Sequence, residues 1–185
     1  EPMNESDSPS LESRQHLLRR FLQVRSATTP SLSPRGDHLA FLTDVTGSYQ
    51  VWTTDLKGSW PEQRTFGAER AQFVTHSPDR RHIAYGTDHG GNERTQIHLL
   101  NMEDGSDRDL SKNPSAFHSF GAFSPDGAHI AFASNRREPA FFDAYIMAVD
   151  AEPGTESRLL LKGESYYLPM AFSPDGSRVI LWELL

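Results

Sequence analysis

Cysteine is missing from all 185 residues. Disulfides, thiolate metal sites and a cysteine nucleophile are thereby excluded, while the redox compartment stays open. There is no basic surplus either: 18 Lys and Arg stand against 25 Asp and Glu, for a formal net charge of −7. The charges are mixed along the chain, so no nucleic-acid partner and no anionic membrane surface is expected. No apolar run approaches the roughly 18 residues that a membrane-spanning helix needs. Nothing near Glu1 reads as the apolar core of a signal peptide. The expected compartment is the cytoplasm, with the periplasm and secretion left open.

Recurring turns are present instead. Ser-Pro pairs begin at Ser33, Ser77, Ser124 and Ser173, at intervals of 44, 47 and 49 residues. A period in the forties marks a repeat architecture. In the third unit Ala116–Phe123 reads as a strand, Ser124-Pro125-Asp126-Gly127 as a tight turn, and His129–Ser134 as the returning strand of a hairpin. Proline presets φ for the second turn position, and glycine takes the left-handed residue, so Gly127 is expected at positive φ. A charged loop, Asn135 to Phe141, leads to a third strand at Ala144–Val149 and a fourth at Arg158–Leu161. Unit two repeats this with Ala71–Thr75, His82–Gly86, Gln96–Leu100 and Arg108–Leu110; unit one offers Leu39–Thr43, Tyr49–Thr54 and Gln63–Phe66. Third strands end at Asp55, Asn101 and Asp150, which look equivalent.

Four antiparallel strands per repeat predict an all-β fold, a β-propeller with three full blades and a partial fourth. The units fall near 27–66, 67–112, 113–162 and 163–185. Residues 1–10 are polar with two prolines and are expected to be disordered; residues 11–26 form a lead-in whose Leu17, Leu18, Phe21 and Leu22 fall at helical spacing. The helix would be capped near Ser8-Pro9 or Ser10. Because the fourth unit stops after its second strand, the chain is expected to be a piece of a longer propeller.

Ser124-Pro125-Asp126-Gly127 with Ile130-Ala131-Phe132, and Ser173-Pro174-Asp175-Gly176 with its following strand, resemble the propeller repeats shared by the prolyl oligopeptidase family of serine peptidases and by TolB-type proteins. The resemblance spans about 31–185. Residues 11–34 resemble the helix-to-blade entry of acylaminoacyl-peptidase-like members. Asp88-His89-Gly90-Gly91-Asn92-Glu93, followed by Gln96-Ile97-His98-Leu99, resembles their second blade. The resemblance implies a serine peptidase acting on peptides or acylated peptides, with a C-terminal α/β-hydrolase domain as the propeller's partner. That domain's Gly-x-Ser-x-Gly elbow does not occur in these 185 residues, so no catalytic residue and no triad is assigned here. What carries over is a role: the propeller gates the hydrolase site and selects substrates. Two alternatives stay open, a TolB-type interaction scaffold and a propeller with its own carbohydrate-active site.

Candidate binding residues lie in the loops between second and third strands, which are longer and more varied than the Ser-Pro turns. Asp88, Asn92 and Glu93 could hold a cation or a substrate amine, against the plainer reading of a glycine-rich connection. Arg136 and Arg137 could clamp a peptide carboxylate, against the plainer reading of solvated loop charge. No metal or cofactor is expected: His38, His82 and His129 recur at one place on separate blades, and the eight histidines show no zinc-site spacing. Trp52, Trp60 and Trp182 are expected to pack between blades.

Overall fold

The structure, a computed structural model, describes residues 11–184. The tail 1–10, including the capping residues near Ser8, and Leu185 lie outside them. A helix α1 (Leu11–Leu22) ends with Arg19 and Arg20, cations suited to a helix C-terminus. Leu18 and Leu22 on it are exposed; the side chains of Leu17 and Phe21 lie outside the described part.

Three four-stranded antiparallel units follow. The first is β1 (Ala27–Leu32), β2 (His38–Thr43), β3 (Gln50–Asp55) and β4 (Glu62–Gln63). The second is β5 (Val74–His76), β6 (His82–Thr87), β7 (Gln96–Asn101) and β8 (Asp107–Asp109). The third is β9 (His118–Phe123), β10 (His129–Glu138), β11 (Phe141–Ala148) and β12 (Arg158–Leu161). A hairpin of β13 (Tyr166–Phe172) and β14 (Val179–Leu184) begins the fourth and joins β11 through one parallel rung, Phe142–Tyr166. Within the three complete units strand order follows chain order, as the repeat predicted.

Strand β1 escaped the sequence reading, which gave unit one three strands. Ala-Thr-Thr-Pro-Ser-Leu lacks apolar alternation and carries Pro30, which cannot donate to a ladder. The register shifts between Thr28 and Ser31, so Pro30 sits in the bulge where no donor is required. The strand ends also need correction. The rungs His38–Asp55, His82–Asn101 and His129–Ala148 are equivalent, so Ala148 rather than Asp150 matches Asp55 and Asn101.

The Ser-Pro turns share one chemistry. The amides of Gly36, Arg80, Gly127 and Gly176 donate to the carbonyls of Ser33, Ser77, Ser124 and Ser173 at 2.8–3.0 Å. Each serine Oγ donates to a carboxylate and accepts the amide five residues on: His38, His82, His129 or Arg178. The carboxylate is Asp79, Asp126 or Asp175 at the third turn position. Where Arg35 occupies that position, Asp37 takes over at 2.7 Å. Gly127 has φ +74°, as the turn requires, and Arg80 adopts φ +66° at the equivalent place without the freedom of glycine.

Two cores form between units. Blade two's Ile97, Leu99 and Leu110 pack against blade three's Ile130, Phe132 and Met147. Its opposite face puts Ile83, Tyr85 and Leu100 against blade one's Ala40, Leu42 and Val51. Alternation along β6 and β7 thus feeds both seams, as strand geometry demands. The fourth hairpin approaches so closely that a Cβ on Gly121 would stand 2.2 Å from the Pro169 carbonyl oxygen. Among the tryptophans, Trp60 is 88% exposed and does not pack between blades; Trp182 is 47% exposed and meets Tyr166 edge-on.

A repeated clasp secures each blade to the link that follows. Buried Gln50 donates to the carbonyls of Gly67 and Glu69 and accepts from Thr65. Gln96, at the same rung, donates to Arg94 and Ala116 and accepts from Ser111 and Asn113. In blade three this rung carries Asp143, fully buried. A carboxylate accepts but cannot donate. Its Oδ1 takes the Gly163 amide at 3.1 Å, and Arg137 donates to the Gly163 carbonyl at 2.8 Å. Asp143 and Arg137 together do what one glutamine amide does in the other blades.

Candidate functional site

Antiparallel order puts the connections between second and third strands at one end of every blade and the Ser-Pro turns at the other. The candidate residues occupy two places at the first end.

Asp88, Asn92 and Glu93 lie between β6 and β7. Asp88 Oδ2 accepts the Glu93 amide at 2.8 Å, and Asn92 Oδ1 accepts those of Arg94 and His89. Gly90 and Gly91 supply positive φ, Glu93 itself stands at +60°, and the Gly90 amide reaches Glu69 Oε1 in the link between β4 and β5. The side chains of Asp88 and Asn92 are therefore engaged in shaping the loop.

Arg136 and Arg137 stand on strand rather than loop: β10 runs to Glu138, past the end of the second strand in the other blades. This corrects the expected loop at Asn135–Phe141, whose polar sequence hid a continuing ladder. Arg137 grips Asp143 with two bonds, Nε–Oδ2 at 2.5 Å and Nη2–Oδ1 at 3.0 Å. Burial opposes the Asp143 charge, but Arg137 and the Gly163 amide outweigh it and hold this carboxyl below the usual range. Arg136 lies over the rings of Tyr145 and Phe132, 4.9 and 5.2 Å from their centroids. It donates to Ser157 Oγ and to His118 Nε2, both at 3.1 Å.

His118 was a lone strand histidine in the sequence. Here it is fully buried, with Nδ1 3.1 Å from the Thr95 carbonyl. An arginine can only donate, so Nε2 accepts and Nδ1 carries the proton. Burial, reinforced by the Arg136 charge, lowers its pKa to about 4. The chain Thr95–His118–Arg136 ties blade two to blade three. Phe142 extends the contact to the fourth repeat, meeting Phe117 edge-on and Tyr166 at a tilt.

Between blades one and two lies a groove of about 770 Å³. Residues 64–69, which follow the two-residue strand β4, form one side of it and blade two the other. Tyr85, His98 and Asp107 meet there: Tyr85 OH donates to Asp107 Oδ2 at 2.6 Å, and His98 Nδ1 lies 3.3 Å from Asp107 Oδ1. Burial works against the Asp107 charge, yet its bonds to His98 and Tyr85 keep its pKa below the ordinary value, while burial and that carboxylate push Tyr85 up. Asp88, one of the predicted residues, lines the same groove. Sequence gave no warning of this trio, because Tyr85, His98 and Asp107 sit on three strands. Among the described residues no group of three His, Asp or Glu could hold a metal ion, and no helix is long and apolar enough to cross a membrane.

No protein-family model and no curated protein matches the sequence. Solved structures do. The chain is similar to TolB from Acinetobacter baumannii, at 23% identity over 82% of this chain and 36% of that one, TM-score 0.62. It is similar to a structure from a study of two prolyl endopeptidases, at 12% identity over 97% of this chain and 29% of that one, TM-score 0.68. It is also similar to the β-propeller domain of the Trilobed protease from Pyrococcus furiosus, at 21% identity over 85% and 50%, TM-score 0.63. The chain thus spans half or less of the length of each of these three. At such identities the likeness establishes the fold: three blades and the opening hairpin of a fourth in a β-propeller.

Proposed function

We propose that this chain is a non-catalytic propeller segment that gates and selects substrates for a serine peptidase, with an α/β-hydrolase domain of the same parent protein as its partner. The observation that carries it is the β10–β11 hairpin. It is ten and eight residues long where the equivalent strands in blades one and two have six. Its extra length lies beyond the Ser134–Asp143 rung, at the loop end, and is fastened by Arg136 and Arg137. A rigid projection there narrows the approach to anything seated above that end. Likeness to peptidase propellers supports the same role.

The test uses the parent protein. A serine-directed fluorophosphonate should label it, and it should cleave short peptides but not folded proteins. Arg137→Ala, which unfastens the hairpin from Asp143, should admit longer peptides while leaving kcat/KM for a dipeptide substrate unchanged. A parent that resists the fluorophosphonate would return the likeness to TolB to first place, and with it an interaction scaffold.

A further inference from the structure

We infer that residues 25–28 are a strap that peels from β2 at Thr29-Pro30 while the rest of blade one stays folded, uncovering the β2 edge at Leu42–Thr43 and widening the mouth of the axial channel. First strands of neighbouring blades meet one another, Ser31 with His76 and Ser119 with Tyr166, so β1 lies where the blades converge on the axis. Its first residues stand at the end that carries the β2–β3 loop. Thr29 has φ +48° there. Branching at Cβ makes that conformation a steric outlier, and a residue before proline is pressed toward extended backbone, so Thr29 is unsuited to it twice over. The bulge itself does not demand this. Strands β9 and β13 shift register at the equivalent place, around Gly121 and Met170, and no residue of either bulge stands at positive φ.

What holds the strap is slight. The rung Ala27–Thr43 of blade one corresponds to His118–Ser134 of blade three. His118 is fully buried and tied to Thr95 and Arg136. Ala27 is exposed, as is every residue from Leu22 to Pro30. Two rungs, Ala27–Thr43 and Thr28–Leu42, are backed by polar contacts to the β2–β3 loop. The Ser26 amide donates to Asp44 Oδ1 at 2.9 Å, Arg25 pairs with Asp44 at 3.9 Å, and the Ser26 and Tyr49 hydroxyls are hydrogen-bonded. Past the bulge, Ser31 Oγ accepts the His76 amide at 2.9 Å and holds the rest of β1 to blade two. Thr29-Pro30 thus divides an anchored half of the strand from a half with no buried apolar residue. Segments of that kind open locally at low free energy, and the strain at Thr29 is released when this one does. The strap is a property of this chain and stands whether or not a hydrolase domain accompanies it.

Trypsin digestion under native conditions tests it, read by mass spectrometry as a new N-terminus at Ser26 and normalised to a chromogenic peptide. Cleavage after Arg25 should proceed at a rate that does not change with urea up to about 1 M, because local opening exposes little surface. Asp44→Ala removes the main fastening and should speed this cleavage about tenfold. Thr29→Asn accepts left-handed backbone more readily and should slow it about tenfold. Cleavage that rises with urea in step with unfolding of the whole chain, an unchanged rate in Asp44→Ala, or a rate in Thr29→Asn no lower than that of the unaltered chain would each overturn the strap.

Discussion

Acidification should loosen the seam between blades two and three at His118. The folded state holds this imidazole neutral, with Nδ1–H on the Thr95 carbonyl and Nε2 accepting from Arg136. A proton on Nε2 would set donor against donor and cation against cation inside a fully buried site. The unfolded chain takes that proton at the ordinary value of 6.5; the folded chain resists it to about 4. Between those values the unfolded state binds more protons, so stability falls as pH falls, and it levels off below about 4. At about 1.4 kcal/mol per pH unit the loss is about 3 kcal/mol. With a urea dependence of about 2 kcal/mol/M, the midpoint should drop by about 1.5 M. The comparison is His118→Asn, whose amide can still donate to Thr95 but does not titrate. Urea unfolding of both proteins, followed by tryptophan fluorescence from pH 7 to 4, should give curves that converge as the solution acidifies. Asp37 and Asp175, held near pKa 2, lose their contribution only as pH falls from about 3.8 toward 2, and do so in both proteins. Parallel curves through this window would refute the buried neutral histidine.

Gly127→Val should destabilise the chain by about 1–3 kcal/mol, because φ is +74° and a Cβ would lie 3.0 Å from Asp79; an unchanged denaturation midpoint would disprove the turn assignment. Phe132→Ala should cost about 3–5 kcal/mol, since the ring is fully buried and stacks on Tyr145, and differential scanning calorimetry reads it. Arg137→Ala should destabilise by stranding the buried Asp143 carboxylate, whereas Arg137→Ala with Asp143→Gln should recover much of the loss, because glutamine already makes the clasp at this rung in blades one and two. No recovery in thermal unfolding would mean that the three clasps are not equivalent. The isolated chain should not hydrolyse an aminoacyl-nitrophenyl ester; turnover abolished by a fluorophosphonate would contradict the non-catalytic role.

The sequence by itself determined the repeat, the positive φ of Gly127 and the four-strand unit. The turns and strands are each set by residues within about ten positions of one another, since proline and glycine constrain their own dihedrals and alternation acts through a single strand, and the repeat is their recurrence along the chain. Even substitutions in the turn stayed local, with Asp37 replacing the carboxylate missing at Arg35. The limit of that locality shows at β1, where a bulge around Pro30 breaks the alternation that would have revealed the strand. Tertiary structure alone decided the partners. Arg136 and Arg137 read as a basic pair in a loop, yet one covers rings from two strands and the other completes a clasp, because Asp143 stands where its counterparts are Gln50 and Gln96. His118 meets Thr95, 23 residues away, and Arg136, 18 away, across a seam between separate units. At the groove, Tyr85, His98 and Asp107 converge only when three strands are laid side by side. Contacts between blades depend on how one twisted sheet stacks on the next, and no spacing within a single repeat records that.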